Sequence, residues 1–319
     1  MKVSQLFTLF ILSLFIFKIE AGFNSMNKQA QKINKDNYNK EQNLTKDIKF
    51  GNTSSQYLDV YHDKVTKTSD ELKPVVIYIH GGAWFLDDKY MYSILGSVLH
   101  EEGYVAVLPN YVLFPKGVID DMVVDVYKAI QWTYDNIEQY GGDKNRIILS
   151  GHSAGAHLAA LTVLKAKFGL KNKNIYLSPL PNLEKLVLMN GPYDFDDFDF
   201  ISKFFTGSNN IERGIVEKLV TILSFSEYVS PTDVLKPYSD NSLTDLGTTK
   251  FNLYWADKDN IVQESSAINF MKQIRRVSPS TTVNYVFNQG NNYDHYTLIW
   301  DISFGKEEPK QMFLELIRM

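Results

Sequence analysis

Apolar runs and helical stripes alternate through most of this chain. Pro74-Val75-Val76-Ile77-Tyr78-Ile79 is apolar without a break, as is 104–108 (YVAVL). Such runs mark strands buried on both faces. Tyr57–Tyr61 alternates and is rich in β-formers. Residues 120–140 (DDMVVDVYKAIQWTYDNIEQY) repeat apolar positions at helical spacing and stop at Gly141-Gly142. Further strands are predicted at 146–149, Lys185–Met189, 251–255 and 281–287. Further helices are predicted at Ala154–Lys167, 264–276 and 308–318. Strands alternating with helices build a mostly parallel sheet covered on both faces, so the fold class is α/β. Such sheets carry their chemistry at the carboxyl ends of the strands.

The N-terminal region departs from this pattern twice. Lys2 precedes a nearly unbroken apolar stretch, 6–17 (LFTLFILSLFIF), and Lys18-Ile19-Glu20-Ala21-Gly22 then turns polar. A helix of that length reaches roughly 18 Å, short of a hydrocarbon core of ~30 Å. Residues 1–21 therefore read as a signal peptide ending at small Ala21. It would deliver the chain to the secretory pathway, secreted or in the endoplasmic reticulum lumen. The alternative is a membrane anchor formed by 6–17. Asn43-Leu44-Thr45 and Asn52-Thr53-Ser54 would be glycosylation acceptors there, so a glycoprotein is expected. Residues 22–55 are rich in Asn, Lys and Gln and read as a polar surface arm or flexible leader. Residues 56–319 show no repeat and no Pro/Gly/Ser linker, and read as one domain.

Composition narrows the chemistry. With 33 Lys+Arg against 37 Asp+Glu the net charge is −4, so no broad basic field exists for nucleic acid or an anionic membrane surface. The absence of Cys excludes disulfides, thiolate metal sites and a Cys nucleophile. H-E-x-x-H is missing and the His residues lack ligand spacing, so neither a metal nor a cofactor is expected.

Three loops hold the candidate chemistry. Gly151-His152-Ser153-Ala154-Gly155 follows a predicted strand and opens a predicted helix. A tight strand-to-helix turn needs small neighbours and pushes the Ser153 hydroxyl out above the sheet. The plain reading is a Ser N-cap. His80-Gly81-Gly82-Ala83-Trp84 follows the strand VVIYI. Backbone N–H groups of Gly82 and Ala83, with Ala154, are assigned as an oxyanion hole, and Gly81 is the substitute if the register shifts by one. A serine needs a base. The six His are His62, His80, His100, His152, His157 and His295. In this architecture the chain order is Ser, acid, His, so only His157 and His295 qualify. His157 lies one turn along the serine's own helix and reads as a packing residue, which leaves His295. The acid belongs to the loop Ala256-Asp257-Lys258-Asp259, where pattern favours Asp259 over Asp257. Asp294 reads as a solvated turn residue.

These motifs resemble the α/β-hydrolase fold, in its branch with an HGG-type oxyanion loop, over about 57–319. A closer likeness runs through Asn110-Tyr111-Val112-Leu113-Phe114-Pro115, Tyr140-Gly141-Gly142-Asp143 and Gly151-His152-Ser153-Ala154-Gly155-Ala156-His157. It is similar to the prenylcysteine methylesterases, which hydrolyse the methyl ester on a prenylated cysteine. Kynurenine formamidases, a sister group, share the HGG loop and the SAGAH turn. The resemblance implies a serine carboxylic ester hydrolase with Ser153 as nucleophile, Asp259 as acid and His295 as base. The catalytic route it implies passes through an acyl-enzyme. A formamidase-like amide hydrolase and a non-catalytic binding protein of the same fold are the alternatives. The chain departs from the group in reading HGGAW rather than HGGG, in His152 where Gln is usual, and in a signal peptide in place of spanning segments. In this fold an insertion such as 192–248 covers the site. Tyr193, Phe195, Phe198, Phe200, Phe204 and Phe205 stand there among Asp194, Asp196, Asp197 and Asp199. They are expected to line a cap suited to an ester with a hydrophobic group; the alternative is that they pack the cap to the body.

Overall fold

The unbroken apolar runs become central strands of an eight-stranded sheet, in a computed structural model that describes residues 26–63, 71–196 and 226–319. The strands are β1 (Leu44–Lys49), β2 (Tyr57–Tyr61), β3 (Lys73–Ile79), β4 (Val105–Pro109), β5 (Gly142–His152), β8 (Lys185–Met189), β9 (Lys250–Ala256) and β10 (Thr282–Asn288). A short hairpin, β6 (Lys171–Asn172) and β7 (Ile175–Tyr176), forms its own pair. The order across the large sheet is β1-β2-β4-β3-β5-β8-β9-β10. β2 runs antiparallel to both of its neighbours, β1 and β4, while β4, β3, β5, β8, β9 and β10 run parallel to one another. The described helices are α1 (Met26–Lys40), α2 (Ser93–Glu101), α3 (Ile119–Asn136), α4 (Ala154–Lys167), α5 (Pro231–Leu235), α6 (Glu264–Val277), α7 (Thr297–Ser303) and α8 (Glu307–Arg318).

Alternation within each strand sorts side chains between two apolar layers. Ile77, Leu149, Leu188 and Leu253 join Met122 of α3, Leu161 of α4 and Phe270 of α6 on one face. Val76, Ile148, Val187 and Tyr254 join Leu99 of α2 and Phe313 of α8 on the other. Burying each such aliphatic side chain contributes about 1.5–3 kcal/mol. A slip of one residue would exchange the two sets, so packing holds the register that places Ile77 opposite Leu149. Every residue of α4 from Ala154 to Ala166 is buried. That includes Lys165, whose ammonium needs partners in the interior. It finds Asp120 at 2.7 Å and Asn172 at 3.0 Å.

Several expectations change. The helix predicted over 120–140 ends at Asn136, and a 3-10 turn, Ile137–Tyr140, leads into Gly141 at φ 80°. β5 begins at Gly142 rather than 146, because Lys73 pairs with Gly142 across the sheet. α2 and α7 were not anticipated. The largest correction concerns 22–55, expected as an arm or leader. Residues 26–40 are a docked helix and 44–49 the edge strand of the sheet. This docking is polar. Asn34 bonds Ser303 at 2.8 Å and the Ile94 N–H at 2.9 Å, and Asn37 bonds Ser93 and Ser97. The buried Lys89 ammonium pairs with Asp47 and Asp59. Apolar periodicity is silent about a segment held this way.

Residues 1–21, expected as a signal peptide, and about half of the expected cap, including Phe198, Phe200, Phe204 and Phe205, lie outside the described residues. At the cap's described edge Tyr193 is buried and stacks on Phe270 at 5.1 Å, so it packs that edge to the body. Among the described residues no helix is long and apolar enough to cross a membrane.

Candidate active site

Four parallel strands end on the same edge of the sheet, and the loops after β3, β5, β9 and β10 carry the candidate residues. After β5 the chain reverses into α4 through Ser153, at φ 54° and ψ −123°. That backbone is strained for a non-glycine residue, and such strain concentrates at functional sites. The flanking glycines permit it. A Cβ on Gly155 would stand 2.0 Å from the Ile79 carbonyl oxygen, and one on Gly151 would stand 2.6 Å from the Gly155 carbonyl carbon. The Ser153 N–H is anchored on the Met189 carbonyl at 2.9 Å. Its side chain projects at the start of α4, where the helix dipole favours negative charge.

Ser153 Oγ lies 2.8 Å from His295 Nε2, and His295 Nδ1 lies 2.7 Å from Asp259 Oδ2. The carboxylate can only accept, so Nδ1 carries the proton and Nε2 is free to accept from the serine hydroxyl. The Asp259 side chain is buried, and its Oδ1 accepts the N–H groups of Ile261 and Val262, each at 2.9 Å. Asp257 does not meet His295. Its Oδ2 accepts the Gly290 N–H at 3.1 Å, bracing the loop after β10. Asp294 accepts from Tyr296, Thr297 and the Thr297 hydroxyl at the entry to α7.

The glycine loop after β3 comes alongside. A Cβ on Gly81 would stand 3.4 Å from Ser153 Cβ, so this loop passes next to the serine. Gly82 has φ 100°, Ala83 49° and Trp84 66°. Left-handed Ala and Trp cost roughly 1–2 kcal/mol each, so outside contacts must hold the loop. The Tyr111 hydroxyl donates to the carbonyls of His80 and Gly81 at 3.1 and 3.0 Å. The Phe114 N–H donates to the Trp84 carbonyl at 3.0 Å. The N–H groups of Gly82, Ala83 and Ala154 have no backbone acceptor among the described residues.

The other histidines also have defined places. His80 is sandwiched between Tyr92 and Tyr111. His152 donates Nε2–H to the His295 carbonyl at 2.7 Å, and its ring lies 4.8 Å from that of His295. Burial, helped by the nearby His295, pushes His152 down to about 3, so it adds no positive charge beside that ring. Asn190, at φ 49°, also reaches the His295 carbonyl, at 3.4 Å. Sequence reasoning did not assign these supports to His152, Asn190 or Tyr111. No local signal marks them, since 143 residues separate His152 from His295.

Asp194, Asp196 and Asp233 stand close enough to hold a cation, but the Lys236 ammonium already pairs with Asp196 and Asp233. A cavity of about 800 Å³ opens beside the glycine loop, lined in part by Phe85, Asp87, Tyr111 and Phe114. Ser153 and His295 are not among its walls.

The model of the BD-FAE family matches residues 58–274, well over half of the sequence. The chain belongs to the BD-FAE family. This BD-FAE chain is 31% identical over 224 residues to isoprenylcysteine alpha-carbonyl methylesterase ICME of Arabidopsis thaliana, covering 62% of this chain and 52% of that protein. It is 28% identical over 240 residues to esterase LipC of Mycobacterium tuberculosis, covering 73% and 55%. It is 33% identical over 148 residues to kynurenine formamidase of Danio rerio, covering 46% of each. The chain thus spans about half the length of the curated relatives it matches. In structure it resembles esterase B from Lactobacillus Rhamnosis, with TM-score 0.68 and 19% identity, covering 96% of this chain and 94% of that one. That likeness gives the BD-FAE domain the α/β-hydrolase fold expected from its motifs.

Proposed function

We propose that this BD-FAE chain hydrolyses carboxylic esters through an acyl-enzyme on Ser153. The observation that carries the reading is the continuous hydrogen-bonded path from Ser153 through His295 to Asp259, built from three separate loops. The Ser153 proton passes to His295 Nε2 as Oγ bonds to the ester carbonyl carbon. Asp259 keeps the imidazole in the required tautomer and stabilises the imidazolium that forms. The tetrahedral oxyanion sits among the N–H groups of Gly82, Ala83 and Ala154, each donor being worth about 3–4 kcal/mol. The C–O bond breaks and the alcohol leaves with the proton from His295. Water then gives its proton to His295, attacks the acyl carbon, and Ser153 regains its proton as the acid departs.

Names of the relatives support an ester as substrate. A fluorophosphonate probe should label the wild type and spare Ser153→Ala. Hydrolysis of p-nitrophenyl acetate, prenylcysteine methyl ester and N-formylkynurenine should then favour the esters. A wild type that takes no label would overturn the nucleophile assignment. Faster turnover of N-formylkynurenine would move the reading to an amide hydrolase.

A further inference from the structure

His157 stands one helical turn after Ser153 and takes no part in the proton path. Yet it is fully buried with both ring nitrogens engaged. Its Nε2 lies 2.7 Å from the Val229 carbonyl, which can only accept, so Nε2 carries the proton. Nδ1 is left as an acceptor, and the Trp84 indole N–H, a donor only, meets it at 3.1 Å. Burial pushes His157 down to about 4, which keeps the ring neutral and that acceptor available. Phe195 packs edge-on against the same ring at 5.4 Å and leans on Trp84 at 6.4 Å.

Trp84 directly follows Ala83 in the glycine loop, and both hold left-handed backbone that is unfavourable for their side chains. Tyr111 and Phe114 tie this loop to the 110–114 segment. The Trp84–His157 bond instead ties it to α4, the helix that presents Ser153 and the Ala154 N–H. The loop donors and the helix donor must converge on one oxygen for the oxyanion hole to work. We propose that His157 is a positioning residue that clamps Trp84, so that Gly82 and Ala83 face the same point as Ala154. The Val229 carbonyl sets the tautomer that makes the clamp possible. The inference rests on the ester-hydrolase reading above.

The test measures kcat and KM on p-nitrophenyl acetate, fluorophosphonate labelling and thermal midpoint. The proteins are the wild type, Trp84→Phe, His157→Leu, the double variant and His157→Gln. Trp84→Phe and His157→Leu should each lower kcat about 10- to 100-fold, with KM within about threefold. The double variant should fall no further than the worse single one, because both remove the same bond. His157→Gln still offers an acceptor and a donor and should stay within about threefold of the wild type. Trp84→Phe keeps an aromatic ring but loses part of the indole along with the N–H, so its comparison with His157→Gln, which keeps the acceptor, decides the matter if His157→Leu does not fold. Unchanged kcat in folded variants, multiplying losses in the double variant, or equal losses in Gln and Leu would overturn the clamp. An unlabelled wild type defeats the hydrolase reading and the clamp together, whereas a labelled wild type with unaffected variants defeats the clamp alone.

Discussion

Replacing Asp259 by Asn should lower kcat on p-nitrophenyl acetate by about 10³- to 10⁴-fold. The substitution is nearly isosteric, so the effect comes from which atom faces His295. Two backbone donors, the N–H groups of Ile261 and Val262, converge on Oδ1 at 2.9 Å. An amide at this position keeps its oxygen there, since turning over would set its NH₂ against two other donors. The NH₂ then occupies the Oδ2 place, 2.7 Å from His295 Nδ1. Nδ1 must give up its proton and Nε2 take one, which leaves nothing on the imidazole to receive the Ser153 proton. The imidazolium also loses a carboxylate partner. With charge centres ~4 Å apart and an effective dielectric constant of ~20, that loss is about 4 kcal/mol, or roughly three decades in rate. The tautomer change adds to it. The assay compares kcat per folded molecule for the wild type, Asp259→Asn and Asp257→Asn, with thermal midpoints measured alongside. Asp257 bonds Gly290 rather than His295, so its Asn variant should stay within a few-fold of the wild type. An Asp259→Asn enzyme within tenfold of the wild type, or equal losses at the two positions, would refute the reasoning.

Acidification gives a second check. His152 and His157 are held neutral by burial, pushed down to about 3 and about 4, while an unfolded His takes a proton near ~6.5. The unfolded chain therefore binds more protons below pH ~6.5. Stability present above that pH falls as the pH drops toward ~4, by up to about 1.4 kcal/mol per unit for each ring. Urea midpoints between pH 7 and pH 4.5 should fall less steeply in His157→Gln than in the wild type, and parallel curves would contradict this. Gly155→Ala should cost about 3 kcal/mol or more in urea unfolding, because its Cβ would meet the Ile79 carbonyl oxygen at 2.0 Å; a shift under about 1 kcal/mol would show that α4 can back away from β3. Lys165→Met should cost about 3–5 kcal/mol by stranding the buried Asp120, and adding Asp120→Asn should restore much of it; no recovery would rule out the stranded charge as the cause.

Much of this architecture can be read locally. An unbroken apolar run such as Val75–Ile79 cannot sit on a surface, and β3, β4 and β8 lie where such runs predict. Ser153 needs only the glycines at 151 and 155 to turn from strand to helix, and of the six histidines in the chain only His157 and His295 follow that serine. Other features escape local reading because their causes are distant. α1 and β1 dock through Asn34, Asn37 and Lys89, polar contacts that leave no apolar stripe. Asp257 and Asp259 share one short loop and one chemistry, and only the packing of β9 beside β10 puts His295 against the second of them. Trp84 meets His157 across 73 residues, and His152 meets the His295 carbonyl across 143. Neighbouring residues dictate backbone shape because sterics act within a few bonds. Which buried nitrogen finds which oxygen depends on how layers stack, and a side chain carries no local sign of the partner that burial will bring to it.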